Sequence, residues 1–232
     1  MIENKKQVSF NDYVETYEKE IQSSIGFIHQ DHSFFIELKA NIIKEIAEKN
    51  FDEPEKINIL DIGSGIGLID HFLNPDFKNI NGVDIESGVV EKARLYNPGV
   101  NYKIYDSKNL PYDDNTMDMI FTVNVMHHIK PAYWENFIKE MNRVTKPGGI
   151  AVIFEHNPLN PLTRLAVSRC EFDRDANLIH RSRLRKLFIK KYSVIGEEFI
   201  LFFPFKSKMF RSVEKLLKWL PLGAQYYICG KK

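Results

Sequence analysis

The chain has 232 residues, 44% hydrophobic and 27% charged, with a formal net charge of +1. That length suits one α/β domain, and the near-neutral charge excludes an overall field that would recruit nucleic acid or an anionic membrane. Two cysteines exclude a disulfide framework, and the opening MIENKKQVSF has no apolar leader, so a cytoplasmic protein without a membrane span is expected.

Residues 10–23 and 34–49 read as amphipathic helices; in the second, Phe35, Leu38, Ile42, Ile43 and Ile46 recur at helical spacing. Residues 57–62 form a short apolar run, expected of a strand buried on both faces in a parallel sheet. Further strands are expected at 79–84, 100–105 and 117–123. Pro131 opens a helix that Lys146-Pro147-Gly148-Gly149 stops, and 150–155 is a fifth strand. Residues 157–179 read as irregular or a short helix, Ser182 as the cap of a further helix, and 193–203 and 224–230 as two last strands around a helix at 207–220. The alternation predicts a doubly wound, mostly parallel sheet, with ligands at the carboxyl ends of its strands. The chain then divides into an N-terminal helical cap (1–50), a cofactor-binding core (57–156) and a segment over the substrate (157–183).

The first strand runs into Asp61-Ile62-Gly63-Ser64-Gly65-Ile66-Gly67. Alternating glycines allow a tight strand-to-helix turn and close approach of a ligand to backbone N–H groups. The spacing G-x-G-x-G departs from the dinucleotide G-x-G-x-x-G, with Leu68 where the third glycine would stand. Asp61 would repel a pyrophosphate but suits an ammonium and a sulfonium. Asp84 ends the second strand, where a carboxylate can accept two hydrogen bonds from a ribose diol; Asp106 follows the third, where an adenine amino group could donate to it.

The stretches LDIGSGIG, GVDIE, YDSKNLPYDDNTMDMIFTVNVMHHI and MNRVTKPGG resemble the class I S-adenosylmethionine-dependent methyltransferases. The resemblance implies a Rossmann-like seven-stranded sheet with an antiparallel last strand and S-adenosylmethionine as cofactor. It places Gly63, Ser64, Gly65 and Gly67 at the amino-acid end of the cofactor and Asp84 and Ile85 at the ribose and adenine. Asp106 and Ser107 would face adenine, and Asn124 would close over the site.

Catalytic candidates stand at the strand ends. Adjacent side chains point apart, so one of His127 and His128 is expected to face the site, with His128 preferred as the farther from the strand. Glu155 and His156 end the fifth strand, and an imidazole beside a carboxylate can serve as a general base. His128 and His156 are therefore the catalytic candidates, and Glu155 and Arg164 the substrate-binding ones. Asp113, Asp114 and Asp118 read as a solvated loop, and no metal is expected. The expected function is methyl transfer to a hydroxyl or amine of a small molecule, glycan- or lipid-linked acceptors included. A nucleic-acid methyltransferase and a non-catalytic cofactor-binding protein of the same fold are the alternatives. No nucleic-acid partner is expected, whereas the basic amphipathic pattern at 207–220 leaves peripheral membrane contact open.

Overall fold

A computed structural model describes residues 32–171, 173–203, 213, 214 and 216–232. The expected helix at 10–23 and half of that at 207–220 lie outside the described residues. Helix α1 is His32–Asn50, followed by strand β1 (Asn58–Ile62), helix α2 (Leu68–Leu73), β2 (Asn79–Asp84), α3 (Ser87–Tyr96) and β3 (Asn101–Ile104). Strand β4 (Met117–Val123) leads through two 3-10 turns to α4 (Trp134–Val144), then β5 (Thr145–His156), α5 (Pro161–Arg169), α6 (Arg181–Phe188), β6 (Ser193–Ile200) and β7 (Gln225–Lys231).

The strands form one seven-stranded sheet in the order β3-β2-β1-β4-β5-β7-β6. The five strands β1 to β5 are mutually parallel, and β7 runs antiparallel to both β5 and β6. Successive residues of the central strands feed opposite cores, as the period of two requires. Ile59, Met119, Ile150, Val152 and Phe154 pack with α1, α2 and α3, while Leu60, Ile120, Ala151 and Ile153 pack with α4 and α6. In α1 the buried residues Ile36, Ala40, Ile43 and Ala47 follow at steps of four, three and four, one helical stripe.

Several boundaries differ from expectation by a few residues, and two of the differences have a plain cause. Strand β5 begins at Thr145 because Thr145 already pairs with Met117, and the Pro-Gly-Gly run is taken up as an irregularity before Ile150 pairs with Met119. Ser182 does not cap α6: the capping position is His180, one residue before the first helical residue, and its side chain makes no capping bond.

The strand order reverses between β1 and β4, whose following connections run towards opposite edges of the sheet. Loops diverge there and leave a crevice at the carboxyl ends of the strands. The glycine turn after β1 is fixed on one side of it by Gly63 and Ser64 N–H groups, which donate to the Val83 carbonyl at 2.8 and 3.0 Å.

Candidate active site

A cavity of about 1660 Å³ fills this crevice. Asp61, Gly63, Ser64, Gly65, Asp84, Ile85, Ser107 and Asn124 all line it, brought together from four strand ends. Asp61 Oδ1, Ser64 Oγ and Asn124 Oδ1 are buried without a hydrogen-bond partner, a state that folding ordinarily avoids. Ile85, by contrast, leaves 45% of its surface exposed on the cavity wall. Ser107 and Asn124 hold φ of +63° and +57°, a costly conformation for residues with a Cβ that is concentrated at functional sites. Asp84 Oδ2 accepts the Gly65 N–H at 2.9 Å and Oδ1 the Glu86 N–H at 3.1 Å, which presents its carboxylate at the rim of the turn. Burial raises the Asp84 pKa, and those backbone bonds partly offset the rise.

Two residues expected at the cofactor stand elsewhere. Gly67 has φ +76°, and a Cβ there would lie 2.2 Å from Tyr102 Oη and 2.6 Å from Asn97 Nδ2. Its freedom serves the start of α2 against these side chains, not the cavity. Asp106 is exposed and does not line the cavity; its carboxylate accepts the N–H groups of Lys108 and Asn109 at 2.8 and 2.7 Å, closing a turn.

Behind the glycine turn lie three carboxylates. Burial first, then Asp70 and Asp84, push the Asp61 pKa far up. Asp70, buried with Tyr102 Oη donating to it at 2.7 Å, is pushed up to about 7. Because the folded state holds the Asp70 proton more tightly than the unfolded chain, its contribution to stability is fully present below the ordinary pKa of 3.8 and is lost as pH rises to about 7. The ligand-free protein should therefore lose about 1.4 kcal/mol per pH unit from this group in that window. Thermal unfolding of Asp70→Asn across pH 5–8 checks this: the variant should show a flatter profile, and an unchanged slope would remove Asp70 from the account.

Three imidazoles also meet on the wall of this cavity. Residues Met126–His128 form a 3-10 turn rather than an extension of β4, so the two neighbouring rings do not point apart. The His127 and His128 rings lie with centroids 4.1 Å apart and planes tilted by 50°, the His156 ring lies 5.1 Å from His127, and all three line the cavity. Sequence reasoning ranked His127 below His128, yet His127 is the centre of the cluster. Its Nδ1 lies 2.7 Å from Glu155 Oε2 and its Nε2 3.2 Å from Asp173 Oδ1. Burial alone lowers the His127 pKa, but the two carboxylates outweigh it and hold the ring protonated. Burial, then the charge on His127, push His128 down to about 3 and His156 down to about 4.

The tautomer of His156 follows from its neighbours. Lys39 Nζ donates to Gln225 Oε1 at 3.4 Å, which turns Gln225 Nε2 towards His156 Nδ1 at 3.3 Å. An amide N–H facing Nδ1 leaves the proton on Nε2, so His156 offers a donor, not the basic nitrogen expected of it. Glu155 is fully buried and does not line the cavity; it accepts the Met126 N–H at 2.7 Å besides bonding His127, and so positions the histidine turn instead of binding substrate. Arg164 lies on the exposed side of α5 and does not line the cavity, whereas Leu162, Thr163, Ala166 and Val167 of the same helix do.

The asparagines around α5 are structural. Asn157 Nδ2 donates to the Pro221 and Gly223 carbonyls at 3.0 and 2.8 Å, and Asn160 Oδ1 caps α5 by accepting the Thr163 N–H at 3.0 Å. Lys39, Asp173 and Gln225 were not singled out in the sequence. Each reaches the site from a distant segment, and Asp173 stands 46 residues from His127, beyond any motif spacing.

A methyltransferase-domain family model matches residues 60–153, which span β1 to β5 and carry the glycine turn, Asp84 and the histidine turn. Residues 60–153 thus match a methyltransferase domain, in line with the resemblance of the motifs to the class I S-adenosylmethionine-dependent enzymes. The chain is 33% identical over 122 residues to norajmaline N-methyltransferase of Rauvolfia serpentina, covering 48% of the chain and 41% of that protein. It is 32% identical over 129 residues to a 2-methyl-6-phytyl-1,4-hydroquinone methyltransferase of Synechocystis, covering 53% and 40%. The match thus spans about two fifths of the length of these relatives. In fold it is similar to a methyltransferase of Thermotoga maritima described as a possible histamine N-methyltransferase, with TM-score 0.67, 21% identity and coverage of 96% and 97%. The residues present fit the family's cofactor. S-adenosylmethionine is a cation with a ribose diol, and the cavity offers Asp61, Ser64 and Asn124 oxygens without partners beside the Asp84 carboxylate. Among the described residues no helix is long and apolar enough to cross a membrane.

Proposed function

We propose that the chain transfers the methyl group of S-adenosylmethionine to a hydroxyl or amine of a small-molecule acceptor with an apolar body. The observation that carries this reading is the trio of buried, partnerless oxygens on Asp61, Ser64 and Asn124 on a cavity that three histidines also line. A sulfonium and an ammonium placed near Asp61, and a ribose diol donating to Asp84, relieve the unfavourable burial of those carboxylates. Bound there, S-adenosylmethionine would supply an electrophilic methyl group: an acceptor lone pair would bond the methyl carbon as the S–C bond breaks, and the acceptor's O–H or N–H proton would pass to solvent. Alignment of the two reactants supplies most of the rate gain in such a displacement.

The acceptor lies between the turn and the histidine cluster. Leu162 and Ala166 of α5, with Phe35, Phe202 and Phe203, give that space an apolar wall. This supports the expectation that 157–183 covers the acceptor, with α5 rather than Arg164 as its contacting part.

Calorimetric titration with S-adenosylmethionine and S-adenosylhomocysteine tests the reading. Both should bind, and Asp84→Ala should weaken both by roughly ten- to a hundredfold, the loss of about 1.5–3 kcal/mol of charge-assisted hydrogen bonding. Equal affinity in the variant removes Asp84 from the site, and tight binding of a nicotinamide dinucleotide in its place overturns the cofactor. The acceptor is sought as a 14-dalton mass gain in metabolite extracts incubated with protein and cofactor.

A further inference from the structure

We propose that His127, His128 and Asp173 form a binding site for a divalent transition-metal ion at the acceptor end of the cavity. His127 Nε2 lies 3.2 Å and His128 Nε2 3.5 Å from the same Asp173 oxygen, Oδ1. The three ligand atoms all fall within 4.8 Å of one another. Donors that share one ion at zinc–nitrogen distances stand about 3.4 Å apart at the corners of a tetrahedron. The arrangement therefore needs little movement to receive an ion.

The second observation is how His127 is held. Its Nδ1 faces Glu155 Oε2 at 2.7 Å, which fixes that proton and turns Nε2 towards Asp173 and His128. A carboxylate behind an imidazole in this way orients metal-binding histidines and raises their basicity. Glu155 is itself locked by the Met126 N–H at 2.7 Å. The loop that carries Asp173 is tied over the cluster by the Asn177 N–H, which donates to the His127 carbonyl at 2.6 Å. Three segments far apart in sequence, the turn after β4, the end of β5 and the loop after α5, are thus built to converge on one point.

The charges agree. Glu155 and Asp173 set two carboxylates against these imidazoles, at 2.7 Å and at 3.2 and 3.5 Å. That anionic surround suits a divalent cation. Two imidazoles with one carboxylate suit zinc, manganese or iron(II) over magnesium or calcium, which prefer all-oxygen shells. All three ligands line the cavity, so the remaining coordination faces the acceptor. There the ion would hold and polarise an oxygen or nitrogen of the acceptor. That role rests on the methyl-transfer reading, whereas ion binding does not.

The test titrates Zn²⁺ calorimetrically into full-length protein freed of metal by a chelator and dialysed, with Mg²⁺ as comparison. One Zn²⁺ per chain should bind, and Mg²⁺ should bind at least about 100-fold more weakly. His128→Ala and Asp173→Asn should each weaken Zn²⁺ binding at least about 100-fold. Their side chains keep 29% and 14% of their surface exposed, so both variants should fold, and circular dichroism melting verifies it. Co²⁺ in the same site should give a visible absorption band that both variants lose. Absence of stoichiometric Zn²⁺ binding, or equal affinity in both variants, overturns the site. The same samples are titrated with S-adenosylmethionine: Zn²⁺ binding without cofactor binding upholds the site and defeats the methyl-transfer reading, and the converse defeats the site alone.

Discussion

Gly63→Ala should leave a protein that folds with reduced stability and binds S-adenosylmethionine at least tenfold more weakly. Gly63 has φ +75°, and a Cβ added there would lie 2.4 Å from Val125 Cγ2. An L-residue in the left-handed region costs about 1–2 kcal/mol, and overpacking against a stiff β-branched side chain costs roughly 1–3 kcal/mol more. Relief requires the turn or the Val125 loop to move, and these carry Ser64 on one side and Asn124 on the other. The damage therefore falls on the cofactor end of the cavity. Gly67→Ala is the matched control. Its Cβ would strike Tyr102 and Asn97, away from the cavity, so its unfolding midpoint should drop while cofactor affinity changes less than in Gly63→Ala. Adding Val125→Ala to Gly63→Ala should recover the steric part of the loss and leave the backbone part. Thermal unfolding and cofactor calorimetry on the four proteins decide it; equal loss of affinity in the two glycine variants would mean that both serve the turn as a whole.

These two glycines also show how far the sequence could be read. Hydrophobic period and turn residues placed β2 and β4 to the residue, because those signals are local and the strands are buried on both faces. The residues proposed for the cofactor were legible for the same reason: Asp61, Ser64, Asp84 and Asn124 each stand at or just past the end of a strand, where the doubly wound topology places a ligand. Gly67 carries the same motif letter as Gly63 but faces Tyr102, a residue of β3 that spacing alone does not bring near. Asp106 had the alternative of closing its own turn, and took it. The histidine end was legible only in part. That His127 and His128 lie side by side depends on a 3-10 turn, and their partner Asp173 arrives from a loop positioned by a hydrogen bond from Asn177. Such pairings are tertiary, with no periodic or motif signal to announce them.

The largest effect is expected at Glu155, the buried carboxylate that no solvent reaches. Glu155→Ala removes the partner of a buried imidazolium and of the Met126 N–H together, and breaking a buried pair by deleting one member costs about 3–5 kcal/mol. Urea unfolding should show that loss, with the histidine turn disordered. Glu155→Gln separates the two roles. Its amide oxygen can still accept the Met126 N–H, while its amide N–H now faces His127 Nδ1 and forces that ring's proton onto Nε2, towards Asp173. The glutamine variant should keep more than half of the stability that alanine loses and should bind S-adenosylmethionine as the parent does. Turnover, once an acceptor is known, should nevertheless fall roughly 10- to 100-fold, the usual cost of disturbing an orienting partner behind a functional histidine. A histidine ring that has lost its Nδ1 proton but is unchanged in place is visible by ¹⁵N NMR of the imidazoles, which gives a readout that lost packing alone would not move. Should Glu155→Gln keep full turnover with His127 neutral, the proton on His127 Nδ1 is irrelevant to the chemistry and Glu155 acts on stability alone.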